Sequence, residues 1–145
     1  ALAGLALDAE RAEARPHRPG QIPNGSVNRC ANCHNSPSGG DARNLFGQMV
    51  EASFLTERSF NGNVLWGPEL AGLDADGDGA TNGQELQDSD GTWKPGDPAP
   101  GDPAKVTKPW DPTSKPEPPP VTAVAATTWA RVKAAVQAIL ERCGK

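Results

Sequence analysis

Cys30, Cys33 and His34 lie in one pentapeptide, Cys30-Ala31-Asn32-Cys33-His34. No other feature constrains the fold of this chain as strongly. Two thiols three residues apart, followed directly by an imidazole, form the attachment pattern of a c-type haem. Each thiol adds across one vinyl group of the porphyrin, and the turn between them holds both sulfurs at one edge of the ring. His34 then points at the iron as proximal ligand. A chain carrying such a group has to fold around it.

The same pattern has other uses. A CxxC pair can be half of a zinc site, a redox-active dithiol or a structural disulfide. Zinc has Cys143 and His17 to draw on as well, but the chain offers no second closely spaced ligand pair. A thioredoxin-like dithiol needs a βαβ context, which the flanking Asn, Ser, Gly and Pro residues do not provide. The expected cofactor is therefore one covalent haem c.

Composition bounds the rest. Of 145 residues, 16 are Gly and 15 are Pro, and only 36% are hydrophobic. Such a chain supports one modest core, rich in loops and supplemented by cofactors. Trp66, Trp93, Trp110 and Trp129 are natural packing anchors, since Trp carries a large apolar area and one donor. The net charge of −4, with no basic block, argues against nucleic acid as a partner. No apolar run approaches the ~20 residues of a membrane span. The opening Ala1–Leu7 segment is too short to span and lacks a basic region before it, so it is no intact signal peptide. Haem attachment to CxxCH occurs outside the cytoplasm, so a secreted or periplasmic protein with its export signal already removed is expected.

Along the chain, four segments are predicted. Residues 1–15 read as a short N-terminal helix stopping before Pro16. Residues 16–93 form the haem- and calcium-binding domain, with irregular loop over 16–40 and a helix from an Asp41 N-cap to about Leu55. Leu45, Phe46, Met49, Val50 and Phe54 fall on one face of that helix, which is expected to pack on the porphyrin. Ten prolines between Lys94 and Pro120 make 94–120 an extended arm. It either lies across a neighbouring copy or wraps its own domain. Residues 121–145 hold a C-terminal amphipathic helix with Trp129, Val132, Val136, Ile139, Leu140 and Cys143 as its apolar stripe. The fold class is mostly α with extensive irregular structure, a small domain stapled by haem and calcium.

The second motif is Asp74-Ala75-Asp76-Gly77-Asp78-Gly79-Ala80-Thr81-Asn82-Gly83-Gln84-Glu85. It matches the EF-hand calcium loop at every diagnostic position. Asp74, Asp76 and Asp78 stand at positions 1, 3 and 5, and Gly79 makes the sharp turn. Ala80 offers its carbonyl, Asn82 stands at position 9, and Glu85 closes the loop as a two-oxygen ligand. Between Ser59 and Trp93 there are seven acidic residues and no Lys or Arg. Short helices over Glu69–Leu73 and from Asn82 to about Gln87 make Ca²⁺ a structural staple rather than a sensor. Asp88 and Asp90 are weak candidates for a second site.

Ile22-Pro23-Asn24-Gly25, Cys30 to His34, Gly39-Gly40, Arg43-Asn44-Leu45-Phe46-Gly47 and Leu73 through Trp93 together resemble the temptin-like extracellular domain. That family has a GG-x-x-RN-x-FG segment followed by a DxDxDGxTNGxEL loop ending near a Trp. The likeness covers residues 22–93. The chain departs from it in carrying CxxCH, where animal temptins have no haem motif, and in lacking their disulfide cysteines. The resemblance implies secretion and a calcium-stapled fold, and it says little about physiological role.

A haem dedicated to electron transfer ordinarily has two axial ligands. Besides His34 the usual candidates are His17, in an Arg-Pro-His-Arg-Pro stretch, and Met49, with His17 the first choice. Cys143 is the odd cysteine, read as a buried thiol or an intermolecular disulfide. The expected function is therefore electron carriage by a monohaem cytochrome, not enzymatic catalysis. Its partners would be redox proteins and other copies of itself, in a homo-oligomer or a filament relaying electrons between haems. Two alternatives remain: a haem sensor or enzyme with one open axial position, and a calcium-dependent adhesion or structural module.

Overall fold

In a computed structural model of the chain, residues 15–59 and 61–118 are described. The expected N-terminal helix up to Ala14, the C-terminal helix, Trp129 and Cys143 lie outside them. Helix occurs in short pieces: α1 at Leu45–Ser53, α2 at Pro68–Gly72 and α3 at Asn82–Glu85, with 3-10 turns at Arg18–Gln21, Arg29–Asn32 and Pro103–Lys105. Two isolated antiparallel bridges, His34 with Arg43 and Leu55 with Val64, tie the loops together. The described residues are thus chiefly irregular, as a chain punctuated so densely by Gly and Pro must be.

The helix expected from Asp41 starts later. Asn44, in an extended conformation, is the N-cap of α1, and its side-chain oxygen accepts from Gly47 N at 2.8 Å. Asp41 instead sits in the loop before it, so the capping role passes to the next short polar side chain along the chain. α2 begins with Pro68, where a missing N–H costs nothing. Thr81 and Gln84 form a reciprocal capping box at α3.

The core is Ile22, Phe46, Val50, Phe54, Val64, Trp66, Leu70, Ala71 and Leu86, with Met49, Leu55, Trp93 and Trp110 packed against it. Each fully buried Phe or Leu contributes about 1.5–3 kcal/mol by leaving water. Leu45, placed on the same face by periodicity, is 45% exposed.

One buried acid organises the second half. Asp88 accepts from Trp66 Nε1 at 2.8 Å, Trp93 N at 3.0 Å and Thr92 N at 3.2 Å. Its carboxylate is occupied by protein donors, which removes it as a candidate for a second calcium site.

The proline-rich arm lies on its own domain. Asn24 Nδ2 donates to Pro100 O and Leu86 O, Gln87 Nε2 donates to Lys105 O, and Pro109 is fully buried. Thr107 N donates to Glu85 O at 3.0 Å. Over 94–118 the arm is therefore part of the same body as 16–93. Of the two placements open to it, these contacts are those of an arm that wraps its own domain. Within it Asp102 caps the single turn Pro103–Lys105, so the proline density still admits one 3-10 turn.

Candidate functional site

Cys30 lies within the 3-10 turn Arg29–Asn32 and Cys33 caps it, with Cys33 N and His34 N donating to Cys30 O at 3.1 and 2.9 Å. Two buried asparagines hold this turn from beneath. Asn32 Nδ2 donates to Gly25 O and Arg29 O, and Asn44 Nδ2 donates to Ala31 O at 2.8 Å. Gly47 presses α1 onto the motif: a Cβ there would stand 2.0 Å from Cys33 O. The Gly in the Arg43–Gly47 segment is thus required by close approach of the helix to the CxxCH turn.

His34 Nδ1 lies 2.9 Å from Asp41 O. A carbonyl only accepts, so Nδ1 carries the hydrogen and Nε2 keeps its lone pair. An axial histidine is held by this kind of outer hydrogen bond, which fixes both tautomer and ring orientation.

Cys30, Cys33 and His34 all line a cavity of about 310 Å³. Its apolar wall is Ile22, Val50, Leu55 and Val64, and Arg15, Arg18, Arg29 and Arg43 contribute to its rim. Among the lining residues only Asp41 and Glu51 are acidic, and Glu51 pairs with Arg43 at 2.9 Å. Burial, then repulsion from Arg15 and Arg43, lowers the Arg18 pKa below its ordinary value. Arg15 Nε is buried without a protein partner. Crowded guanidiniums with an orphaned donor suit an anionic ligand. Four apolar side chains beside crowded guanidiniums have the chemistry to receive a flat apolar ligand that carries carboxylates. The arginines were not singled out from the sequence, although four between residues 15 and 43 flank the motif.

The other uses of the two thiols fare less well. Burial pushes the Cys33 thiol up to about 11, opposite to the depressed value a reactive dithiol needs. Both thiols are free. Among the described residues, the one group of three or more acidic, Cys or His side chains whose ligand atoms could share an ion is Asp74, Asp76 and Asp78, within 4.8 Å of one another. Cys30, Cys33 and His34 form no such group, as a zinc site would require.

The acidic loop is folded around those three carboxylates. Asp74 accepts from Gly77 N and Gly79 N at 2.8 and 2.9 Å, and Gly77 and Gly79 both take positive φ to make the turn. Burial would raise the Asp74 pKa, but the N–H groups of Gly79 and Gly77 outweigh it and hold it low. Asp76 is raised by burial, against the Asp78 N–H, with repulsion from Asp78 and Asp74 adding to it. Glu85 is fully buried, and burial followed by repulsion from Asp76 and Asp78 pushes it up to about 8. Asp76 Oδ2, Asp78 Oδ2 and Glu85 Oε2 are buried with no protein partner. The three loop carboxylates fit one hard divalent cation, and Glu85, though buried with an unpaired oxygen, lies outside their group of shared ligand atoms.

Asn82 reaches beyond the loop. Its Oδ1 accepts from Ala75 N, and its Nδ2 donates to Leu70 O and contacts Met49 Sδ at 3.5 Å. Fully buried, it ties the loop to α2. Ala80 N donates to Asp78 Oδ1. The arm closes over the site: Thr107 Oγ1 donates to Glu85 Oε1, and Lys115 Nζ donates to Asp78 O.

The two expected distal ligands are not brought to the cavity. His17 is exposed, preceding the turn Arg18–Gln21, and Met49 is turned toward Asn82. Neither is among the lining residues. Among the described residues no helix is long and apolar enough to cross a membrane.

A family model described as Temptin C-terminal matches residues 12–111. The match extends beyond the 22–93 legible by eye and takes in most of the arm that packs on the domain. No curated protein and no solved structure matches the chain.

Proposed function

The chain belongs to the Temptin C-terminal family; from its CxxCH motif, not from that membership, we propose that it is an extracytoplasmic monohaem c-type cytochrome that carries electrons, its fold held by one Ca²⁺. The observation that carries this reading is the joint one: both thiols and His34 line a single cavity with an apolar wall and an arginine rim.

Cys30 and Cys33 would each add their S–H across a vinyl group, sulfur to one carbon and hydrogen to the other, with no net oxidation. His34 Nε2, its lone pair kept by the Asp41 bond, would be the proximal ligand. Arg15 and Arg18 would meet the porphyrin carboxylates, and Ile22, Val50, Leu55 and Val64 would exclude water from the ring. A bound haem supplies one-electron exchange between ferric and ferrous iron. Asp74, Asp76 and Asp78 would hold the calcium ion, and Glu85 would close on it, offsetting the burial and the repulsion that together raise its pKa. An extracellular setting, where such loops bind at roughly 10⁻⁴–10⁻³ M, keeps that ion in place.

The test is a redox titration of the exported protein followed by visible spectroscopy. Reversible one-electron behaviour of a covalently held haem supports the proposal. A colourless protein that binds calcium would instead favour the structural or adhesion reading.

A further inference from the structure

The three loop aspartates are held by the loop itself. Asp74 accepts from Gly77 N and Gly79 N, Asp76 Oδ1 from Asp78 N at 3.1 Å, and Asp78 Oδ1 from Ala80 N at 2.7 Å. Glu85 is held differently. Among the described residues, the hydrogen bond to its carboxylate comes from the arm, where Thr107 Oγ1 donates to Oε1 at 3.2 Å across 22 positions of sequence. The other oxygen, Oε2, is buried without a protein partner. Thr107 is itself seated by its N–H on Glu85 O at 3.0 Å, by Gln87 Nε2 on Lys105 O and by the buried Pro109. The arm meets the loop again where Lys115 Nζ donates to Asp78 O. The closing acid of the loop thus depends on the arm for its orientation, as the three aspartates do not.

We propose that Thr107 is a positioning residue of the cation site: its hydroxyl fixes the Glu85 carboxylate so that Oε2 is left for the ion. The inference rests on the calcium reading above and adds to it a residue from outside the loop. A carboxylate ligand held by an outer hydrogen bond keeps its orientation, and loss of such a partner typically costs about 10–100-fold in metal affinity. Because Thr107 belongs to the arm, cation binding and arm docking favour each other, as linkage between two events that share Glu85 requires. The sequence supplies a probe of that docking. Trypsin can cut the described arm only after Lys105, since Lys94, Lys108 and Lys115 each precede proline. Lys105 is exposed and lies two residues before Thr107.

Calorimetric titration of the full chain with calcium comes first; a wild-type protein that takes up no calcium would end the calcium reading itself, and the inference with it. With binding established, Thr107→Val is expected to raise the dissociation constant about 10-fold or more. Thr107→Ser, which keeps the hydroxyl, should bind close to wild type. Calcium should slow tryptic cleavage after Lys105 in wild type and in Thr107→Ser, but not in Thr107→Val. A Thr107→Val protein that binds calcium as tightly as wild type would overturn the inference. So would equal weakening in Thr107→Val and Thr107→Ser, which would assign the loss to packing rather than to the hydroxyl. Wild-type cleavage that is indifferent to calcium would overturn it as well, and that result needs no variant to fold.

Discussion

The ring Nδ1 of His34 donates to the main-chain carbonyl of Asp41 at 2.9 Å, and this one bond decides which nitrogen is left for a metal. Because the acceptor is backbone, the side chain of Asp41 is not needed for it. Asp41→Ala is expected to leave the proximal-ligand visible spectrum of the holoprotein unchanged. His34→Ala should keep a haem bonded through Cys30 and Cys33 but lose the proximal-ligand spectrum. Absorption spectra of the two variants compare these outcomes directly.

Glu85 makes the metal-free protein sensitive to pH. Its folded pKa, about 8, stands above the ordinary carboxylate value of 4.5. Between these values the folded state binds more protons than the unfolded one, so metal-free stability falls as pH rises through that window. Calcium should remove the slope and add about 2.7 kcal/mol when present at 100 times its dissociation constant. Glu85→Gln should flatten the metal-free profile while weakening calcium binding. Thermal melts with chelator and with calcium, at pH 5 and pH 8, measure both effects.

Gly47 is required by contact rather than by backbone conformation. Gly47→Ala puts a methyl group 2.0 Å from Cys33 O and should cost at least the ~1–3 kcal/mol typical of overpacking, with lower haem incorporation. Gly72→Ala meets nothing within 4 Å and should be nearly neutral. Denaturant midpoints of the pair separate local collision from loss of glycine in general.

Asp88 receives three N–H groups, from Trp66, Thr92 and Trp93. Asp88→Asn replaces one accepting oxygen by a donor and should cost about 2–4 kcal/mol, given ~1.5–3 kcal/mol for a hydrogen bond to a charged group. A change in tryptophan emission should accompany it. The exposed Asp90 should tolerate Ala within about 0.5 kcal/mol.

What could be read from the sequence was the local structure carried by fixed spacing. The CxxCH turn, the acidic loop and the two short helices beside it depend on contacts within a dozen residues, and the structure places those helices at Pro68–Gly72 and Asn82–Glu85. Positions that depend on long-range packing were not legible. The amide of Asn82 is drawn inward by Leu70 O and Ala75 N. Asp41 and Asn44 are equally good caps on paper, and the bond from Asn44 to Ala31 O selects the second. Arg18 is fixed at the cavity by bonds to Ser59 O and Gly62 O, some forty residues away. His17 was favoured as distal ligand by type and distance along the chain, whereas its prolines and the anchored Arg18 leave it outside the cavity.

The account depends on a porphyrin bonded to Cys30 and Cys33, and intact mass of the exported protein under denaturing conditions tests that most directly. One haem added to the chain mass, lost when both cysteines are replaced by alanine, is the predicted result. A mass equal to the bare polypeptide, from cells competent to attach haem c, would contradict it.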